Sequence, residues 1–219
     1  AESMAGPFTG GMAASTILSC LFFGAISGSG PATTAAVGML MIPAMTRHGY
    51  DRGYAGAVTS SSGGLGVVIP PSIPMVIYGV AASQSIADLF IAGFIPGVML
   101  AVGLMAMNYF RSKKKKYQGD GKTLSAKKIV VTMREGFWSL LAPVIILGGI
   151  YTGFFTPTEA AIVSIFYTLF VGIFIYKEIE MKGVMKALES TTWITGRVLI
   201  IMFTALAFGQ LLTINKIPD

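Results

Sequence analysis

A long stretch of this chain carries no charge. No Asp, Glu, Lys or Arg occurs from Ser3 to Thr46, a run of 44 residues. At 1.5 Å per residue a straight helix of that length would reach about 66 Å, twice the roughly 30 Å of a bilayer's hydrocarbon core. The segment must therefore fold back or cross twice. Its natural break is Ser27-Gly28-Ser29-Gly30-Pro31. Glycine relaxes the backbone there, and Pro31 suits the first turn of a new helix. The arms, about Gly11–Ile26 and Ala32–Met45, hold 16 and 14 residues. Each is too short to span, which predicts a re-entrant helical hairpin over 1–46 with its tip at 27–31.

Composition supports a membrane setting. Charged residues are 12% of the chain, hydrophobic residues 53%, and the mean hydropathy is +0.71. Soluble domains carry roughly 25% charged residues, and disordered chains lack this apolar content. The chain has a single cysteine, Cys20, and a single histidine, His48, which excludes an intrachain disulfide and a cysteine or multi-histidine metal centre. It opens on Ala1 with no charged leader and cleavage site, which predicts no signal peptide and suggests a piece of a longer membrane protein.

Further charge-free gaps set the remaining architecture. Residues 53–82 read as one crossing helix interrupted by Ser60-Ser61-Ser62-Gly63-Gly64-Leu65-Gly66 and Ile69-Pro70-Pro71-Ser72-Ile73-Pro74, because three prolines in five residues cannot continue a helix. Residues 89–110 are a single crossing. Residues 136–176 are a helix pair around the turn Thr156-Pro157-Thr158-Glu159, and 187–215 a last crossing. Residues 111–135 form a basic loop holding Lys113 to Lys116, with a short interfacial helix near 125–137. The expected fold is thus an all-α polytopic membrane protein with a re-entrant hairpin and broken transmembrane helices.

Basic residues orient it. Counting crossings outward from the 111–135 loop puts fourteen of sixteen Lys and Arg on the cytoplasmic side, with only Lys216 clearly outside. The turns 83–88 and 156–159 fall on the external side. Lys113 to Lys116 act as a topology determinant beside anionic headgroups. No basic and aromatic surface for nucleic acid accompanies them. Arg197 either snorkels to the inner interface or pairs with an anionic group inside the protein.

Unwound backbone in lipid leaves polar groups unsatisfied unless protein or a wet cavity supplies partners. Two breaks rich in Ser, Gly and Pro suggest one shared site, where carbonyl ends and hydroxyls attract a cation. Neither break holds a carboxylate or histidine, which favours Na⁺ over a proton relay. The plainer alternative is a pair of helix kinks with packing glycines. No base stands near the serines, so no catalytic constellation is present and no enzyme is expected. Thr156-Pro157-Thr158-Glu159 also reads as a helix start with a capping box.

At this point the residues resemble a known family. Gly24-Ala25-Ile26-Ser27-Gly28-Ser29-Gly30-Pro31-Ala32-Thr33-Thr34-Ala35 is similar to the first hairpin of the large membrane subunit of TRAP (tripartite ATP-independent periplasmic) transporters. Ile69-Pro70-Pro71-Ser72-Ile73-Pro74 resembles its broken helix. Gly153-Phe154-Phe155-Thr156-Pro157-Thr158-Glu159-Ala160-Ala161 resembles the stretch that opens its second, inverted repeat. The resemblance implies an elevator-type secondary transporter in the bacterial inner membrane, driven by Na⁺. It imports an organic anion such as a C4-dicarboxylate, sialic acid or another sugar acid. A periplasmic substrate-binding protein and a small membrane subunit are the implied partners. Carried over, the sodium site points to Ser27, Gly28 and Ser29, with Gly64, Val67 and Pro70 opposite. Thr33 and Ser72 are the substrate-side candidates, and Ser85 and Glu159 the docking candidates. The family's second hairpin and second sodium site are expected outside this chain. The competing reading is a non-transporting membrane scaffold or channel-like component.

Overall fold

A computed structural model describes residues 8–117, 131, 134 and 136–216. The described residues are helical, with no strand among them. Helix α1 (Gly11–Ser27) and helix α2 (Gly30–Arg47) form an antiparallel pair joined by Gly28 and Ser29. Gly28 closes α1 in the left-handed region (φ 63°), which glycine adopts without steric cost. Ser29 opens α2, its hydroxyl accepting from the Ala32 amide at 3.4 Å, and Pro31 occupies the first turn. The open end of the pair is knit by Met12, Ala13 and Met45, which are buried together with Tyr50 and Ala55.

The next helix is interrupted twice. Asp51 caps helix α3 (Arg52–Gly63) by accepting from the Tyr54 amide at 2.9 Å. A single turn, α4 (Leu65–Val68), follows Gly64. Residues 69–72 are extended around the prolines, and helix α5 (Ile73–Ala81) resumes at an angle of 42° to the first part. The cause is local: Pro70 and Pro71 carry no amide hydrogen to donate to the helix, and each disfavours helix in the residue before it.

Helix α6 (Ile86–Lys115) begins at the Ser85 cap and runs for 30 residues. The basic residues 111–115, expected to open a loop, continue this helix instead. Lysine is a good helix former, and cations are favoured at the last turn of a helix by its dipole. The rest of the expected 111–135 loop and its interfacial helix lies almost wholly outside the described residues. Small residues Gly93, Gly97 and Ala101 give α6 one narrow face that passes the interruption: a β-carbon at Gly97 would fall 2.6 Å from the Ile69 side chain. Ile17, Leu65, Ile69 and Ala101 form the buried cluster there.

Helix α7 (Phe137–Tyr151) has 15 residues, about 22 Å, and ends before Gly153 in the left-handed region (φ 76°). It is the first member of the helix pair read over 136–176. Helix α8 (Pro157–Phe170) runs into a π turn at Val171–Ile175. The last helix, α9 (Met181–Ile214), starts earlier than the sequence suggests and buries no residue. Phe90, Ile150 and Ala160 meet in one buried cluster. The start of α6, the end of α7 and the start of α8 therefore share one end of the molecule. Three described helices are long and apolar enough to cross a membrane, Ile86–Lys115, Pro157–Ile175 and Met181–Ile214, or four if the bent pair 52–81 counts as one span.

Candidate functional site

The connection between α1 and α2 lies directly on the interruption between α3 and α5. The Ile73 amide donates to the Gly28 carbonyl at 3.0 Å, joining the two breaks backbone to backbone. A β-carbon on Gly28 would sit 2.9 Å from the Pro71 carbonyl oxygen. One turn back, a β-carbon on Gly24 would come within 2.7 Å of Gly66 Cα, so the two segments touch there through main chain alone. On the α2 side, Gly30 meets Val67 and Gly63 meets Thr34 with no room for a side chain. Side-chain-free positions on both breaks are what allow this approach.

Hydroxyls and carbonyls line the contact, and most already have partners. The Ser29 carbonyl accepts from both the Thr33 amide (3.0 Å) and the Thr33 hydroxyl (2.7 Å), which occupies its two lone pairs. Thr33 is fully buried, its hydroxyl oxygen 2.7 Å from where a Gly66 β-carbon would stand. Ser72 is buried and donates to the Val67 carbonyl. The Gly64 carbonyl accepts from the Val67 amide at 3.0 Å.

At the end of α3, the Ser62 hydroxyl is buried with no hydrogen-bond partner among the described residues. A buried unpartnered hydroxyl costs about 1–3 kcal/mol. Sequence reasoning passed over Ser62 within the run Ser60-Ser61-Ser62. Helix phase, which exposes Ser60 and Ser61 and buries Ser62, is the signal that singles it out.

Of the residues expected at a cation site, Gly28 is buried at the contact and Ser27 and Ser29 are half-buried beside it. Val67 and the buried Pro70 belong to the opposing segment. Gly64 is exposed, and a β-carbon there would approach only the Ser61 carbonyl. Gly24, Gly63 and Gly66, which make the closest approaches, carry no chemistry a sequence reading could flag. The two breaks carry neutral oxygens, the hydroxyls of Ser27, Ser29 and Ser62 among them, which are of the type a hard monovalent cation takes. No cluster of His, Cys, Asp and Glu suited to a metal ion occurs among the described residues.

The external-turn candidates lie at the end marked by Phe90, Ile150 and Ala160. Ser85 caps α6 through the Asp88 amide (3.3 Å). Thr156 and Glu159 form a full capping box: the Thr156 amide donates to Glu159 Oε2 at 2.8 Å, and the Glu159 amide to Thr156 Oγ1 at 3.3 Å. Arg197 lies over the Trp193 ring at 5.8 Å. No charged partner is paired with it among the described residues.

The sequence matches the family described as the tripartite ATP-independent periplasmic transporter, DctM component, over residues 1–219. It is 43% identical over 218 residues to the isethionate TRAP transporter permease protein DctMQ of Oleidesulfovibrio alaskensis, covering 100% of this chain and 34% of that protein. It is 41% identical to the sialic acid TRAP transporter permease protein SiaT of Haemophilus influenzae, with 99% and 35% covered. Against the C4-dicarboxylate TRAP transporter large permease protein DctM of Pseudomonas aeruginosa the identity is 40%, with 100% and 51% covered. The chain thus spans about half or less of the length of these relatives.

Proposed function

Because the chain belongs to the DctM-component family of tripartite ATP-independent periplasmic transporters, we propose that it is part of the large membrane permease of a Na⁺-driven importer of organic anions. The substrate class is a small acid of the kind named for its relatives, an isethionate, a sialic acid or a C4-dicarboxylate. A periplasmic binding protein delivers it, and a small membrane subunit completes the permease in the bacterial inner membrane.

The observation that carries this reading is the hydrogen bond from Ile73 to Gly28, which fastens one helix break onto another. Irregular backbone at membrane depth is tolerated where it lines a site, and two such segments held together make a small oxygen-lined region. Bound there, Na⁺ supplies positive charge that couples its gradient to an anionic substrate. The chain's own part is threefold. Ser62 supplies a buried hydroxyl with no hydrogen-bond partner among the described residues, and Ser27 and Ser29 add half-buried hydroxyls at the tip. The Thr33 and Ser72 hydroxyls each brace their own break by donating to the Ser29 and Val67 carbonyls. Gly24, Gly30, Gly63 and Gly66 let hairpin and break move as one packed body in an elevator-type displacement.

The test is Na⁺-dependent uptake by the full-length permease with its partners. Ser27→Leu and Pro70→Leu are expected to abolish it at normal expression. Unchanged Na⁺-dependent uptake in both would favour a scaffold whose breaks serve packing alone.

A further inference from the structure

The opposite end of the hairpin carries a feature that ion coupling does not use. Arg111 and Lys113 to Lys116 are all exposed at the C-terminal end of α6, where the helix dipole favours cations. One turn earlier, Tyr109 and Phe110 form an exposed edge-to-face pair at 5.9 Å. Aromatic side chains at the end of an apolar span mark the headgroup level of a bilayer, and basic residues just beyond them lie among the headgroups.

Topology determination needs only charge, in any geometry. Here the charge is fastened to the base of the hairpin. Tyr117 stacks on Tyr50 at 4.2 Å and lies 5.8 Å from Tyr54, and its hydroxyl accepts from the Asp51 amide at 3.3 Å. The Arg111 guanidinium sits 5.8 Å over the Tyr54 ring. The Tyr54 hydroxyl donates to Asn108 at 2.9 Å, and Asn108 donates to the Gly10 carbonyl at 3.1 Å. Gly10 in turn donates its amide to the Tyr117 carbonyl at 3.1 Å. This fastening brings exposed Arg47 and Arg52 to the same end. The acidic residue among them, Asp51, uses its carboxylate to cap α3. None of these basic side chains forms an ion pair among the described residues.

We propose that this basic end is a docking surface for anionic phospholipid headgroups, one that anchors the hairpin base to its leaflet. The shared chemistry is phosphate. The exposed aromatic pair, continuous with the apolar face of α6, commits the source to the membrane rather than to a soluble phosphate. The measurement is of lipid and needs no transported substrate, so its failure leaves the transport reading standing.

The experiment uses the full-length permease reconstituted in phosphatidylcholine vesicles, with spin-labelled phosphatidylglycerol or phosphatidylcholine as probe. The wild-type protein is expected to retain phosphatidylglycerol several-fold over phosphatidylcholine, and added salt to erode that preference. Replacing Lys113, Lys114, Lys115 and Lys116 together by Gln should remove most of the preference. The same four positions changed to Arg should keep it, which separates charge from folding. Equal retention of the two lipids by the wild type would overturn the proposal, as would a preference untouched by the fourfold Gln variant. Loss of preference on adding millimolar inorganic phosphate at constant ionic strength would assign the surface to a soluble ligand and also overturn it.

Discussion

Residues 8–117 and residues 137–216 are both helical and apolar, yet they treat their neighbours differently. The largest fully buried side chains, from Phe90 and Ile17 to Ser62 and Ser72, all lie in the first region. In the second, α9 buries nothing over 34 residues, and Ile150, Ala160 and Val171 are the hydrophobic residues that reach the interior. Hydrophobicity does not separate the two regions, since lipid tails solvate a leucine as well as another leucine does. The separation lies in backbone approach. Gly24 on Gly66 and Gly28 on the Pro71 carbonyl close the first region on itself, whereas a β-carbon at Gly183, Gly196 or Gly209 would meet open space. The candidate site occupies the region where main chain touches main chain.

The largest expected effect attacks that closure. Gly24→Leu must place its side chain where Gly66 Cα stands 2.7 Å from the first added carbon, and backbone cannot swing aside as a flexible side chain can. Overpacking costs about 1–3 kcal/mol, and two backbones in contact put this variant near the upper figure. Uptake by the full permease should fall to background and its thermal midpoint should drop. Wild-type uptake in this variant would mean that the Gly24–Gly66 contact is dispensable, and the contrast between the regions would lose its functional meaning.

A smaller effect is expected at Glu159, which belongs to the sparsely buried region but is held by its own helix start. Glu159→Gln keeps a side-chain acceptor for the Thr156 amide, so stability should hardly change. Glu159→Arg removes the Glu159 half of the box and should lower the thermal midpoint slightly. If this turn also meets the periplasmic binding protein, both variants should raise the binding-protein concentration needed for half-maximal uptake. A rise confined to Arg would trace to the lost cap, and no rise in either would leave the turn a structural element only.

Much of this architecture is legible in the sequence because it rests on chain geometry. A charge-free run too long for one helix, with Ser-Gly-Ser-Gly-Pro at its middle, leaves few alternatives, and α1 and α2 meet at Gly28 and Ser29. Thr156 and Glu159 announce their capping box by spacing alone. The site's closest contacts are not legible. Gly24 and Gly66 are separated by 42 positions, and a missing side chain leaves no chemical mark, so only the register of two packed segments reveals the pair. Ser62 differs from Ser60 and Ser61 by helix phase, which a run of three serines conceals. Charge also misplaced boundaries. It ended α6 at 110 and began α9 at 187, because charge reports where lipid stops, whereas Lys113–Lys115 and Lys182 continue as helix.

The mildest substitution is on α9. Gly209 lies on α9 beside Ala205 and Thr213, in a shallow groove that also includes Gln210. A β-carbon there meets nothing within 4 Å. Gly209→Ala should therefore change stability by no more than about 0.5 kcal/mol, with any shift toward stabilisation because alanine favours helix over glycine. The same substitution becomes costly if another helix of the assembled permease packs its backbone into this groove, since narrow crossings rely on small residues. Measuring the thermal midpoint of Gly209→Ala with and without the partner subunit separates the cases. A loss only with the partner present would make α9 a second site of backbone contact, supplied between chains rather than within one. No loss in either state would show that no backbone packs against Gly209 in the assembled permease.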